Sequence, residues 1–496
     1  MSMGGRKISK RQMNSLPRTT YIACAGAALF FFLIYRHFLA PDIVTGDSAD
    51  LVAQSYLIGV CHQTGYPITV VAGKLFSFLP VGTVAYRLNM FSAASAAITV
   101  MLAALTIRVL LEKDSLAIFG GIVLGFSPVL WSRAESANVH AFAGMLTASY
   151  ILLFSLFLIR GSRLHFLAGM LVFGLSWTAH MQNLLHLPAI GWLVLTKRNE
   201  LQPRNLLLGG CLFALGLAPY IWMMHRATVA PPFDTFSSPT TPVSLLYYVL
   251  GLSHNPASFS GFGTIARSSL YLLKVYLGSF HIMIPLLIAG ILTFWKRNWR
   301  ISIFLGLIQA ANSLYLTNFS YYFSFFHYLI PSCIVSAVWI AAGADAMRDW
   351  ISRKSPAGSH VAFWTLLAAW AVTAYLIFPS SRFLQWSVEA GCSFPTIDWR
   401  RERRGREYIN LINERLPENS VIVTSWTYFT LMKYAQYVEG IRPDLALVLH
   451  SETDDYRERI AANPEAMAAL NSSRPVFFMT GRGIHEIPSD HPGDFL

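Results

Sequence analysis

Apolar runs long enough to cross a bilayer recur along the chain from Tyr21 to Pro379 and dominate its pattern of apolar and polar positions. They predict spans at about 21–39, 88–107, 115–131, 138–159, 164–179, 182–196, 205–224, 269–295, 301–318, 322–346 and 360–379. The first run is too long for a signal-peptide core and lacks a small-residue cleavage site, so it reads as a retained helix. Two stretches between spans, 40–87 and 225–268, are much longer than ordinary connections and point to functional loops. In the first, Ser48–Val60 reads as a short interfacial helix followed by a Pro-containing turn. Past 380 the pattern changes. A charged helix at 399–416 and short strands at 420–424, 445–449 and 475–479 alternate with helices at 427–438 and 454–470. Such alternation predicts a small α/β unit with a largely parallel sheet. The expected fold is therefore an α-helical polytopic membrane domain, 1–380, of about 11 transmembrane helices, with a C-terminal α/β domain, 381–496.

Composition supports this division. The 496 residues are 54% apolar and only 13% charged, against roughly 25% charged in soluble proteins. The net charge of +12 would suggest nucleic acid in a soluble chain, but its distribution argues for topology instead. Basic residues cluster in alternate segments: Arg6, Lys7, Lys10, Arg11 and Arg18; Lys197, Arg198 and Arg204; Lys296, Arg297 and Arg300; Arg348, Arg353 and Lys354. Segments on the other side hold only isolated basic residues such as Arg36, Lys74, Arg87, Arg133 and Arg226. That bias places the N-terminus in the cytoplasm and the C-terminal domain outside it. The five cysteines show no metal spacing; Cys61 and Cys392 share the outer side, but two cysteines define no disulfide framework.

The residues able to carry chemistry gather on that outer side. Gly46-Asp47-Ser48-Ala49-Asp50-Leu51 sets two carboxylates three apart, on one face if the segment is helical. Asp47 is the candidate general base for a hydroxyl and Asp50 its supporting carboxylate, although either can also cap the helix that follows. Gly46 beside Asp47 permits close backbone approach to a ligand. Arg87, next to Tyr86 and Asn89, offers a guanidinium for a phosphate or a snorkelling interfacial cation. His62 and Tyr66 are placed to shape a substrate cleft, with Asn138, His140 and His180 as further binding candidates. Glu135 reads as a capping or solvated acid.

These motifs resemble a known membrane family. Gly46–Leu51, His62-Gln63-Thr64-Gly65-Tyr66-Pro67, Ala85-Tyr86-Arg87-Leu88-Asn89, Phe126-Ser127-Pro128-Val129-Leu130-Trp131-Ser132, Ala218-Pro219-Tyr220 and Tyr434–Asp444 are similar to the family that includes the protein O-mannosyltransferases of plexin-type IPT domains. The resemblance covers most of the chain and implies the GT-C class, multi-helix glycosyltransferases that take sugar from a polyprenyl-phosphate donor. It maps the first-loop aspartate of that class onto Asp47. Asp50 stands where the family usually has Glu, Gln63-Thr64 replaces Pro-Pro, and Pro231-Pro232-Phe233-Asp234 occupies the region of another family motif. These departures leave sugar and acceptor open.

The resulting expectation is a GT-C-like, inverting glycosyltransferase that moves a sugar, with mannose the candidate, from a polyprenyl-phosphate donor to an extracytoplasmic acceptor. The acceptor candidates are a protein Ser/Thr hydroxyl, a glycan or a lipid, and a membrane transporter is the non-enzymatic alternative. No cofactor is implied beyond the lipid-phosphate sugar as co-substrate, and a divalent metal is neither demanded nor ruled out. Nucleic acid is not an expected partner. The compact size points to a bacterial inner membrane, with the endoplasmic reticulum membrane as the alternative.

Overall fold

A computed structural model describes residues 17–229, 239–251, 262–318, 325–380, 397–449, 474–480 and 483–487, with isolated residues at 468 and 472. The helix expected at 454–470, the Pro231–Asp234 segment and Cys392 lie outside the described residues, apart from position 468.

The chain opens with α1 (Arg18–Phe38), then two short helices, α2 (Asp47–Leu57) and α3 (Pro67–Ser77), before the long α4 (Val84–Leu111). α5 (Asp114–Gly125) and α6 (Pro128–Ala134) are bent by 66° where Ser127-Pro128 breaks the run. Then follow α7 (Val139–Arg160), α8 (Arg163–Ala179), a 3₁₀ turn at Met181–His186, α9 (Leu187–Thr196), α10 (Pro203–Gly216), α11 (Ala218–Thr228) and α12 (Pro242–Leu250). The helical part closes with α13 (Phe262–Phe280), α14 (Ile284–Arg297), α15 (Trp299–Asn318), α16 (Ile330–Ser352) and α17 (Pro356–Ile377).

Seven described helical segments are long and apolar enough to span a membrane, or eight if the bent α5–α6 pair is one span. That is fewer than the expected eleven. The segments at 164–179, 182–196 and 301–318 are helical but not among these long apolar helices. α8 is only 17 residues long, α9 only 10, and α15 carries Gln309 and Asn312 in its middle. Peripheral helices show large apolar side chains on the outside, including Ile22 and Phe30 of α1, Leu207 of α10, and Val361 and Leu376 of α17. Such faces suit lipid rather than water. The chain is an integral, multi-pass membrane protein.

The main core surrounds Phe31, Tyr35, Phe119, Trp131, Phe154 and Trp370, with α4 and α16 largely buried inside it. Without a hydrophobic drive between helices in lipid, close approach must come from small residues. A Cβ added at Gly290 of α14 would lie 1.7 Å from the Trp339 carbonyl oxygen, and one at Gly343 of α16 1.9 Å from that of Leu286. α8 and α10 use Gly174 and Gly216 in the same way, where an added Cβ would meet backbone at 2.2 and 2.6 Å.

Beyond the membrane part come α18 (Arg404–Arg415), β1 (Val421–Thr424), α19 (Trp426–Glu439), β2 (Ala446–Leu449), β3 (Val476–Thr480) and β4 (Gly483–Ile487). The sheet order is β2-β1-β3-β4, with β1 parallel to both neighbours and β4 antiparallel to β3. The sequence pattern did not mark β4, whose Gly483-Ile484-His485-Glu486-Ile487 mixes glycine and charge into a short strand. A second core joins Leu51, Val52, Val70 and Leu88 of the first loop and its neighbours to Ile409, Ile412, Ile422 and Leu431. Through α19 the C-terminal layer is thus packed onto α2, which is where the acidic motif lies.

Gly290→Ala and Gly343→Ala should each destabilise the fold by about 1–3 kcal/mol through overpacking, read as a lower thermal unfolding temperature in detergent. Gly210→Ala, whose added Cβ would meet nothing within 4 Å, should not lower it.

Candidate active site

The site is built on the N-terminus of α2. Gly46 precedes it with φ +73° and ψ −138°, a conformation that L side chains rarely adopt. No protein atom lies within 4 Å of an added Cβ there, so the backbone angle is what calls for glycine within the protein itself. Asp47 and Asp50 fall in the first turn, where the helix dipole favours negative charge. Their surroundings differ sharply. The Asp47 side chain is 72% exposed and the Asp50 side chain fully buried.

Asp50 must be compensated, because a buried carboxylate without partners is very costly. Its Oδ2 accepts from the His62 amide at 2.9 Å, His62 Nδ1 at 2.7 Å and the Cys61 thiol at 3.0 Å. Its Oδ1 is buried with no hydrogen-bond partner among the described residues. Burial alone would lower the His62 imidazole, but the charge of Asp47 and the hydrogen bond and charge of Asp50 raise it to about 9. The ring is therefore an imidazolium at neutral pH, with Nε2 3.9 Å from Asp47 Oδ2. Burial, with the charge of Asp50, pushes the Cys61 thiol well up and keeps it protonated. Asp50, Cys61 and His62 also place an oxygen, a sulfur and a nitrogen within 4.8 Å of one another, a donor set suited to a divalent ion. As arranged, the thiol and imidazole are spent on the carboxylate.

Tyr66 caps α3 in the left-handed region, φ +49°, and stacks on His180 with ring centroids 5.5 Å apart. His180 ends α8 and lies 4.8 Å, ring to ring, from His140 at the start of α7, which in turn lies 3.9 Å from His327. Burial, and then the charge of His62, push the His180 imidazole down to about 3, so it is neutral beside a charged neighbour. Asp47, Asp50, His62, Tyr66, His140 and His180 thus form one connected cluster of rings and carboxylates.

The other predicted residues do not join it as ligand groups. Arg87 donates from Nε to Val81 O, from Nη1 to Ser77 O and from Nη2 to Gly82 O. Its guanidinium closes the α3–α4 turn, because the last carbonyl of α3 and two carbonyls of the turn lie within its fork. Tyr86 packs its ring over Gly82 in that turn. Asn138 caps α7 by accepting from the amides of His140 and Ala141, and it donates to Arg133 O and Ser136 O. Asn89 ties Ala40 and Asp42 to Ala137. Glu135, expected at a solvated end, is buried.

Two groups escaped sequence reasoning. Arg133, at the end of α6, is half-buried, and its Nε has no hydrogen-bond partner among the described residues. Its guanidinium lies 5.6 Å from the Phe326 ring and close enough to Asp47 for their charges to act on each other. Its signal was its position directly after Phe126–Ser132. Trp426, the first residue of α19, donates its indole N–H to Asp47 Oδ1 at 2.7 Å. Its ring stands edge-on to His62 at 5.6 Å. Nothing in the local sequence marked it.

With this geometry in hand, comparisons with known proteins are informative. The family model for the protein O-mannosyl-transferase TMEM260 N-terminal domain matches residues 47–203, the stretch from Asp47 through α9. The protein O-mannosyl-transferase TMEM260 of Mus musculus is 22% identical over 432 residues, 83% of this chain. The chain resembles the TMEM260 family. It spans only 60% of the length of that mouse relative. Among solved structures, ArnT from Cupriavidus metallidurans bound to undecaprenyl phosphate aligns with a TM-score of 0.60 over 93% of each chain at 13% identity. The apo form of the same ArnT aligns with a TM-score of 0.57 over 92% of each chain. At that identity the likeness is one of fold, and the fold is GT-C-like.

In labelled-histidine NMR, the His62 imidazole should titrate near pH 9, and Asp47→Asn or Asp50→Asn should each lower that value. The folded-state value is above the ordinary 6.5. Its contribution to stability is therefore complete below about 6.5 and is lost as pH rises through 9.

Proposed function

We propose that this protein is a membrane glycosyltransferase that transfers a sugar from a polyprenyl-phosphate donor to an acceptor hydroxyl, with inversion at the anomeric carbon. The observation that carries this reading is Asp47. It is an exposed carboxylate on a helix N-terminus, with Trp426 donating to one oxygen and the His62 imidazolium near the other. Placed against an acceptor hydroxyl, Asp47 Oδ2 takes the proton as the acceptor oxygen forms its bond to the anomeric carbon. The bond from that carbon to the phosphate oxygen breaks, and its electron pair leaves with the polyprenyl phosphate.

Charge builds on the departing phosphate, and preorganised cations nearby stabilise it. Arg133, with donor capacity to spare, takes the role that sequence reading gave to Arg87. His62 adds a second positive charge, kept by Asp47 and Asp50. The stacked rings of Tyr66 and His180, with His140 behind them, form a wall against which a sugar can lie. The leaving group is a single phosphate, which these side chains are placed to meet, and the reaction is written without a metal. Undecaprenyl phosphate in the solved ArnT complex supports a lipid-phosphate donor, and the name of the mouse relative supports mannose and a protein hydroxyl. The site would face the extracytoplasmic side.

The test is transfer of labelled mannose from polyprenyl-phosphate mannose by purified protein in nanodiscs, with a membrane and protein extract as acceptor. Asp47→Asn should lose about 10²–10⁴-fold in rate while keeping its thermal unfolding temperature; near-wild-type transfer would sink the assignment. Arg133→Gln should slow transfer, whereas Arg87→Gln should chiefly lower the unfolding temperature.

A further inference from the structure

Asp47 is the first residue of α2 and its side chain is mostly open to solvent. A carboxylate so exposed would sample several rotamers, and a base that must be found in the right one costs rate. The structure supplies a restraint from 379 residues away. Trp426 Nε1 donates to Asp47 Oδ1 at 2.7 Å, while Oδ2 lies 3.9 Å from His62 Nε2. An indole N–H is a donor only, so it can hold an oxygen without competing for a proton from the acceptor.

The indole is itself well seated. The Gly46 amide donates to Thr427 O at 3.2 Å, and Thr430 Oγ1 donates to Gly46 O at 3.0 Å, so the residue before Asp47 is bonded to the first turn of α19. Arg406 of α18 grips Asp42 with Nε at 2.8 Å and Glu439 at the end of α19 with Nη1 and Nη2, each at 2.6 Å. Burial alone would raise the Asp42 carboxyl, but the hydrogen bond and charge of Arg406 hold it below its usual value and keep this anchor ionised. Packing continues through Ala49, Val52, Leu431 and Met432 in the shared core.

We propose that Trp426 is the positioning residue for Asp47, fixing one carboxylate oxygen so that the other is presented to the acceptor hydroxyl, and that the C-terminal layer is thereby part of the catalytic centre. This rests on Asp47 being the base.

The experiment compares wild type, Trp426→Phe, Asp47→Asn and the double variant, full-length in nanodiscs, with polyprenyl-phosphate mannose titrated against a fixed extract. Trp426→Phe keeps an aromatic ring and removes the donor. The expected result is a fall in kcat of about 10- to 100-fold, with donor KM within about twofold and the unfolding temperature unchanged; the double variant should be no slower than Asp47→Asn. Wild-type kcat in Trp426→Phe, or a loss carried wholly by KM, would overturn the proposal while leaving Asp47 in place. An active Asp47→Asn would instead overturn the reading on which it rests. A readout independent of turnover is the indole ¹⁵N–¹H resonance of Trp426, assigned through Trp426→Phe. It should move in Asp47→Asn, and a resonance that stays put overturns the proposal even if no donor reacts.

Discussion

A carboxylate buried beside a membrane helix bundle needs partners, and Asp50 organises the site by obtaining them. Its Oδ2 draws in an amide, an imidazole and a thiol from Cys61 and His62, which folds the segment after α2 back over that helix. The charge of Asp47 and the contact with Asp50 keep His62 charged, and in the proposed reaction that charge would meet the phosphate leaving group. Removing the acid would leave an imidazolium with less compensation in a low-dielectric pocket. The chemistry proposed for Asp47 therefore leans on a neighbour whose side chain is fully buried.

Division of labour between the two acids follows from position within one helical turn. Asp47 projects to the open side and is held from outside by Trp426; Asp50, three residues on, faces inward and is paired from within. The rings of Tyr66, His180 and His140 continue this surface, brought together from the starts of α3 and α7 and the end of α8. A separate buried network of His186, Asn312, Gln182 and Asn183 joins the 3₁₀ turn to α15 and α7 and fixes the break that delivers His180. Polar groups inside apolar helices here serve the placement of a turn.

The predicted residues that stand apart from the cluster share one cause. Arg87 and Tyr86 follow one another in a conspicuous motif, yet which carbonyls a guanidinium reaches depends on how the α3–α4 turn closes. Asn138, expected to bind, serves as a helix cap in this structure, a role open to any asparagine before a helix. The expected spans at 164–196 and 301–318 were recognised as apolar, but their shortness and their polar interruptions are resolved only once the helices have ends.

What the sequence by itself determined is the material: apolar helices, a polar acidic turn beside the first of them, and a C-terminal alternation of strand and helix. Local composition and spacing suffice for these, since hydrophobic periodicity and a two-acid turn are short-range properties. Tertiary structure decided which charges meet. Asp47 with Trp426, Asp42 with Arg406 and Asp47 with Arg133 are pairs separated by tens to hundreds of residues. No short-range pattern encodes them. The first two arise because α19, which packs on the sheet, buries its apolar side chains against α2, and that burial carries the indole to the carboxylate.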